Sequence, residues 1–245
     1  MALKDEMVQS GFCFFRWRSY LPLLFLPVFV LALRDFSYPG GSEALDHLWE
    51  VFCVAIAVSG LTLRTLTVGH VPRNTSGRNM RRQKADALNT TGIYSIVRHP
   101  LYLGNFLVWI GLALFARDGW FLLVAILAFL LYYERIMLAE EEFLRTKFGA
   151  EFEAWARRTP ALVPAFRKWR SPILSFSWKF VLARENPTWL ATVVMFFLLE
   201  VIGDFFAGKM PHVDLGWILL VSATMVFYVV SRWMKKRNLL FVDGR

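Results

Sequence analysis

Residues 101–138 read LYLGNFLVWIGLALFARDGWFLLVAILAFLLYYERIML, and the reading turns on Arg117–Asp118 near the middle of the string. On either side stand the apolar blocks Leu101–Ala116 and Gly119–Leu138. A hydrocarbon core of about 30 Å takes roughly 20 helical residues to cross. Two blocks near that length, joined by two residues, predict a tight helical hairpin. Such a hairpin returns the chain to the membrane face it left. Arg98–Gly104 before it and Glu140–Arg158 after it are therefore expected to meet in space.

Four further apolar blocks flank the hairpin: Tyr20–Leu33, Leu48–Val68, Thr188–Phe206 and Leu215–Ser231. The chain is 56% hydrophobic, holds 23 Phe and 10 Trp, and has a mean hydropathy of +0.43. The fold class expected is all-α, a polytopic membrane protein with about six transmembrane helices. Tyr20–Leu33 is short and carries Pro22 and Pro27, so it either crosses at a tilt or re-enters. Arg64 lies near the end of its block and is read as snorkelling to the interface. Glu200 lies further inside, where a charge is costly and often functional; both readings stay open for it.

The net charge is +9, carried in segments that flank the apolar blocks. Segments 1–19, 69–100, 139–187 and 232–245 hold 3, 6, 9 and 5 Lys and Arg, while 34–47, 117–118 and 207–214 hold one each. By the positive-inside rule the first set is cytoplasmic, with both termini. This arrangement explains the basicity without nucleic acid. It also supports an even number of spans. Cys13 and Cys53 are read as small buried or lipid-facing side chains, and no metal site is expected. The polar start, 1–18, does not read as a cleavable signal peptide. The sequons at Asn74 and Asn89 fall on the cytoplasmic side and are not read as modified.

The polar segments around the hairpin carry the chemistry. Pro100 suits the first turn of a helix, where its missing N–H costs nothing, and His99 stands at the positive helix end. Gly104 lets another group approach the backbone closely. Glu140, Glu141 and Glu142 sit at the interface, where carboxylates can accept hydrogen bonds from a polar ligand or form a solvated face. Arg157 and Arg158 offer planar donor forks for a carboxylate or phosphate, or anchor lipid headgroups.

Taken together, Gly92-x-Tyr94-x-x-x-Arg98-His99-Pro100-x-Tyr102-x-Gly104, the hairpin, Glu140-Glu141, Phe148-Gly149, Trp155, Arg158 and Pro164 resemble the isoprenylcysteine carboxyl methyltransferase family. More distantly they resemble the phospholipid methyltransferases. The resemblance covers 92–164. It divides the chain into N-terminal spans with a basic loop (1–91), a methyltransferase core (92–164) and an interfacial segment with a C-terminal helical pair (165–245). Trp155 stands where such enzymes usually have Tyr, and Thr159 where they have Val.

The resemblance implies a membrane enzyme using S-adenosylmethionine, with a cytoplasmic cofactor pocket lined by His99, Pro100, Tyr102, Leu103 and Gly104. Glu140 and Glu141 would bind the cofactor's polar end. Arg98, Arg158 and Glu141 are the expected catalytic residues, with Arg158 facing the acceptor's anion. An ionised carboxylate or phosphate needs no general base, whereas an ammonium must first lose a proton. The loop 73–84, with Arg73, Arg78, Arg81 and Arg82, is either positive-inside bias or a site for an anionic headgroup. It tilts the acceptor toward an anionic membrane lipid. With its continuation to Gly92, it resembles a branch that includes lipid A phosphate methyltransferases, and that resemblance makes a bacterial inner membrane the expected location. An isoprenoid acid, phosphatidylethanolamine, a reductase using NADPH, and a scaffold or transporter without cofactor are the alternatives. The expected partners are the bilayer and its lipids, with no nucleic acid and no obligate protein partner.

Overall fold

The computed structural model describes residues 2–18, 20–36, 40, 42–72, 75, 83–208, 215–242 and 244. Nine helices run through them: α1 Leu3–Trp17, α2 Leu26–Ala32, α3 Glu43–Gly69, α4 Pro100–Phe115, α5 Gly119–Phe148, α6 Ala150–Ala156, α7 Trp178–Arg184, α8 Asn186–Phe206 and α9 Leu215–Lys236. No β-strand occurs among the described residues, and an isolated bridge pairs Gly92 with Arg170. The all-helical class expected from the sequence is what the chain adopts.

Four helices, α3, α5, α8 and α9, are long and apolar enough to cross a membrane. Of the six expected blocks, Tyr20–Leu33 makes no span-length helix. It breaks into the 3-10 turn Leu21–Phe25, the seven-residue α2 and a second turn, Leu33–Asp35. Pro22 and Pro27 remove backbone donors there and favour helix starts over helix interiors. α4 has 16 residues, about 24 Å of helix. The N-terminal segment, read as merely polar, is a 15-residue helix.

Local chemistry sets the hairpin. Pro100 occupies the first turn of α4, and the Asp118 side chain caps α5 by accepting from the Phe121 amide at 2.9 Å. α5 then continues unbroken past the apolar block to Phe148. Glu140 lies 21 residues beyond Gly119, about 32 Å along the axis, so it has cleared a hydrocarbon core of about 30 Å. The outer face of α5, with Trp120, Leu123, Val124, Leu127 and Leu131, is exposed, as is most of α9. Exposed apolar surface on that scale, on helices long enough to span a bilayer, suits a lipid surround.

α3 and α4 pack along a seam of small residues. A Cβ on Gly104 would lie 2.8 Å from the Gly60 carbonyl oxygen, and one on Gly111 would lie 2.6 Å from the Cys53 carbonyl oxygen. Close backbone approach of this kind is how helices associate where lipid removes the hydrophobic drive. Above the seam, Cys53, Ala57, Leu112, Phe115, Phe121 and Phe196 join α3, α4, α5 and α8 in one apolar core. α1 lies along α5, and Phe15 packs with Phe129, Tyr133 and Ile136.

Beside this core, at the N-terminal end of α3, Arg117 pairs with Asp46, and the Trp49 indole donates to the Leu114 carbonyl at 3.0 Å. Glu200, left open by the sequence, lies on α8 beside Glu50 and Asp204 at this end. Cys13 is exposed and Cys53 buried.

Candidate functional site

The two segments predicted to meet across the hairpin do meet. The Arg98 amide donates to the Pro160 carbonyl at 2.8 Å and the His99 amide to the Ala161 carbonyl at 3.1 Å. The Arg98 side chain continues the clasp. Its Nε donates to Glu141 Oε1 at 2.8 Å, and one terminal nitrogen reaches the Ala156 and Thr159 carbonyls at 2.8 and 2.7 Å. The Trp155 indole donates to the Tyr94 carbonyl at 3.0 Å. Further along, the Ala165 amide bonds the Ile96 carbonyl, and the Gly92 amide bonds the Arg170 carbonyl, both at 2.9 Å. Gly92 has φ +59°, a conformation other residues rarely adopt, and this fits it to the bridge.

His99 is the centre of the cluster and is 5% exposed. Its Nε2 lies 2.9 Å from Glu141 Oε1 and its Nδ1 lies 3.6 Å from Glu140 Oε2. Carboxylates facing both ring nitrogens are satisfied when both nitrogens carry protons. Burial alone would lower the pKa of the imidazole, but its hydrogen bonds to Glu140 and Glu141, with their charges, outweigh that, and the pKa is raised. Tyr102 stacks on His99 with centroids 5.6 Å apart. Burial, with the nearby Glu140 charge, raises the Tyr94 phenol and keeps it protonated.

These residues open onto a cavity of about 470 Å³, within the usual range for small-ligand sites. Its walls include Tyr94, Arg98, His99, Pro100, Tyr102, Glu140 and Trp155. Arg64, Gln83, Asn105, Tyr133 and Glu185 also contribute to them. Among the described residues the Gln83 amide finds no hydrogen-bond partner for either of its buried polar atoms, and a ligand in this cavity would satisfy it. A second cavity of about 630 Å³ adjoins the first, sharing Asn105, Tyr133, Pro187 and Thr188; its other walls are largely apolar, among them Leu24, Phe25, Val108, Trp109, Ala128 and Phe129.

The structure sorts the sequence-derived candidates into groups. His99, Pro100, Tyr102, Arg98 and Glu140 line the cavity. Glu141 sits one layer behind, holding Arg98 and His99. Gly104 faces α3 rather than the cavity, because a Cβ there would lie 2.5 Å from Arg64 Cγ. Leu103 is half-buried and outside the cavity walls. Arg158 is exposed at the end of α6, where its Nε donates to the Ala154 carbonyl at 3.0 Å, and it lines neither cavity. Arg73, Arg78, Arg81 and Arg82 lie outside the described residues.

Sequence reasoning missed one network. Arg64, read as snorkelling, is half-buried and pairs with Glu185: Nε to Oε2 at 2.8 Å and the neighbouring terminal nitrogen to Oε1 at 3.1 Å. Its other terminal nitrogen donates to Asn105 Oδ1 at 2.5 Å. The available signal was a charge inside an apolar block, which defaults to a functional reading with a partner to be named.

Residues 51–151 match the phospholipid methyltransferase family. This is the superfamily that the Arg-His-Pro and Glu-Glu motifs resemble. Among curated proteins, the chain is 33% identical over 132 residues to the nickel-cobalt-cadmium resistance protein NccN of Alcaligenes xylosoxydans xylosoxydans, covering 54% of this chain and 59% of that one. It is 34% identical over 143 residues to the cobalt-zinc-cadmium resistance protein CzcN of Cupriavidus metallidurans, covering 58% and 62%. It is 31% identical over 119 residues to protein-S-isoprenylcysteine O-methyltransferase B of Arabidopsis thaliana, covering 44% and 59%. The chain thus spans about three-fifths of the length of these relatives. No solved structure matches it. Among the described residues no group of three or more His, Cys, Asp or Glu is placed to hold a metal ion.

Proposed function

We propose that the protein methylates a membrane lipid, using S-adenosylmethionine held in the polar cavity. The observation that carries this reading is the pairing of two adjoining spaces. One is lined by aromatic rings, Glu140 and the Gln83 amide, which has no partner among the described residues; the other is lined largely by apolar side chains of the helices. The residues present fit the cofactor's chemistry. Glu140 would face its cationic groups, Tyr94, Tyr102 and Trp155 would pack on its flat base, and Gln83 would hydrogen-bond its polar edges. When bound, the cofactor supplies a methyl group on a sulfonium, which passes to the acceptor while the carbon–sulfur electron pair stays on sulfur.

The chain's own contribution is alignment and exclusion of water, for which effective molarities are large. His99, pinned between Glu140 and Glu141, fixes both carboxylates. Arg98 ties that cluster to the segment after α6, through its amide to the Pro160 carbonyl and its side chain to the Ala156 and Thr159 carbonyls. The apolar cavity would hold the acceptor's hydrocarbon, leaving its head at the junction. We assign the acceptor an anionic oxygen, phosphate or carboxylate, with lipid A phosphate the first candidate. The bias of Lys and Arg toward the flanking segments supports a cytoplasmic site, and we assign the protein to a bacterial inner membrane. An amine such as phosphatidylethanolamine is the second reading, favoured by Glu140, a carboxylate on the cavity wall able to take a proton.

The test is calorimetry of S-adenosylmethionine and S-adenosylhomocysteine with the purified protein in detergent, followed by transfer of radiolabelled methyl to lipid extracts. Binding that is lost in Glu140→Gln, and label in the anionic lipid fraction, are expected. A folded protein that binds neither compound would overturn the reading.

A further inference from the structure

A chain of hydrogen bonds decides which polar group faces the junction of the two cavities. Glu185, 3% exposed, holds the Arg64 guanidinium through two of its nitrogens. A guanidinium only donates, so the Asn105 side chain must turn its oxygen toward Arg64, at 2.5 Å. The amide nitrogen then points the other way and donates to the Tyr133 hydroxyl oxygen at 3.0 Å. A phenol carries one proton. With its oxygen accepting from Asn105, the Tyr133 O–H points elsewhere, and no described residue is seen to accept it. The ring cannot swing away, because it stacks on Phe129 at 4.1 Å and abuts Tyr102 at 5.1 Å. Tyr133 and Asn105 line both cavities. The Arg64 charge is meanwhile cancelled by Glu185.

We propose that the Tyr133 O–H selects the acceptor, donating a hydrogen bond to an oxygen on the head of an amphiphile whose hydrocarbon lies in the apolar cavity. This rests on the methyltransferase reading and narrows it. A fixed donor pairs with a phosphate, carboxylate or other accepting oxygen, whereas an ammonium head has no atom that accepts the O–H. Glu185, Arg64 and Asn105 are positioning residues that set the direction of this donor without touching the acceptor.

The test uses three single-chain probes and the full-length protein in detergent, loaded with S-adenosylhomocysteine. Dodecyl phosphate has an anionic oxygen head, dodecyldimethylamine oxide a neutral one, and dodecyltrimethylammonium no accepting oxygen. Tyr133→Phe keeps the ring and removes the donor. Asn105→Asp keeps the acceptor for Arg64 but offers Tyr133 a carboxylate, so the O–H turns back to it. Both variants should bind the two oxygen-headed probes about tenfold more weakly, the scale of one hydrogen bond to a charged or strongly polar group. Their affinity for dodecyltrimethylammonium should not fall, and every variant is compared at saturating S-adenosylhomocysteine so that a change in cofactor affinity does not enter the comparison. The amine oxide separates loss of the donor from simple charge repulsion in Asn105→Asp. Unchanged binding of the oxygen-headed probes by Tyr133→Phe, or a parent protein that binds S-adenosylhomocysteine but not dodecyl phosphate, overturns the proposal. A parent that fails to bind S-adenosylhomocysteine overturns the methyltransferase reading instead.

Discussion

Replacing Arg64 by Met should be among the most damaging single changes in the helices, and its cost follows from what it strands. Arg64 meets the Glu185 carboxylate with two short contacts, donates to Asn105 and reaches the Leu101 carbonyl at 3.4 Å. The two charged side chains are 11% and 4% exposed, so solvent contributes little to either. Met fills the volume but leaves a buried carboxylate without its cation, a change that costs about 3–5 kcal/mol. For a chain of this size about 1 kcal/mol moves the midpoint by roughly 2–4 °C, so thermal unfolding should fall by about 6–20 °C. Arg64→Met combined with Glu185→Leu removes both charges and should recover most of that loss, since apolar replacement of a whole buried pair is near neutral. The assay is thermal unfolding of all four members of the cycle in one detergent. A double variant as unstable as the single one, or a single variant within about 1 kcal/mol of the parent, would refute the reasoning.

Three further outcomes are expected. Glu141→Ala removes the acceptor shared by Arg98 and His99, so S-adenosylhomocysteine affinity should drop by about tenfold or more, read by calorimetry; unchanged affinity would detach that clasp from the cofactor site. Gly104→Ala places a methyl 2.8 Å from the Gly60 carbonyl oxygen and 2.5 Å from Arg64 Cγ, so the α3–α4 seam must open, at about 1–3 kcal/mol in thermal unfolding; a neutral result would show that the seam yields. The raised pKa of His99 makes its pairing a low-pH contribution to stability. That contribution is fully present below the ordinary histidine value of about 6.5 and is lost as pH rises through the folded-state value. The stability gap between the parent and His99→Gln should therefore be widest at acid pH and shrink toward alkaline pH, and a gap that grows with pH would reverse the assignment.

Much of the fold was legible in the order of apolar and charged residues. Two blocks joined by Arg117–Asp118 can only turn back on themselves, and the structure gives α4 and α5 with an Asp118 cap between them. The encounter of Arg98–His99 with Glu141 follows from that hairpin alone. Gly104 was correctly read as a point of close approach, but the approaching groups are Gly60 and the Arg64 side chain, not a ligand. α1 was not legible as a packed helix. Its residues mix charged and apolar types, and what holds it is its contact with α5, where Gly11 lets the helix backbone lie against Arg135.

What the sequence determined by itself is therefore local. Block length, proline position and the bias of Lys and Arg set which segments become helices and which residues stand at their ends, because backbone hydrogen bonding in lipid leaves few choices. What only the tertiary structure decided is which groups pair in the interior. Glu185 lies 121 residues from Arg64 along the chain, and Tyr133 lies 28 from Asn105. A buried charge must find a partner, but its own position does not say which one. That choice depends on how closely α3 and α4 cross at Gly60 and Gly104, and on where α7 ends against them. The direction of every hydrogen bond at the cavity junction follows from it.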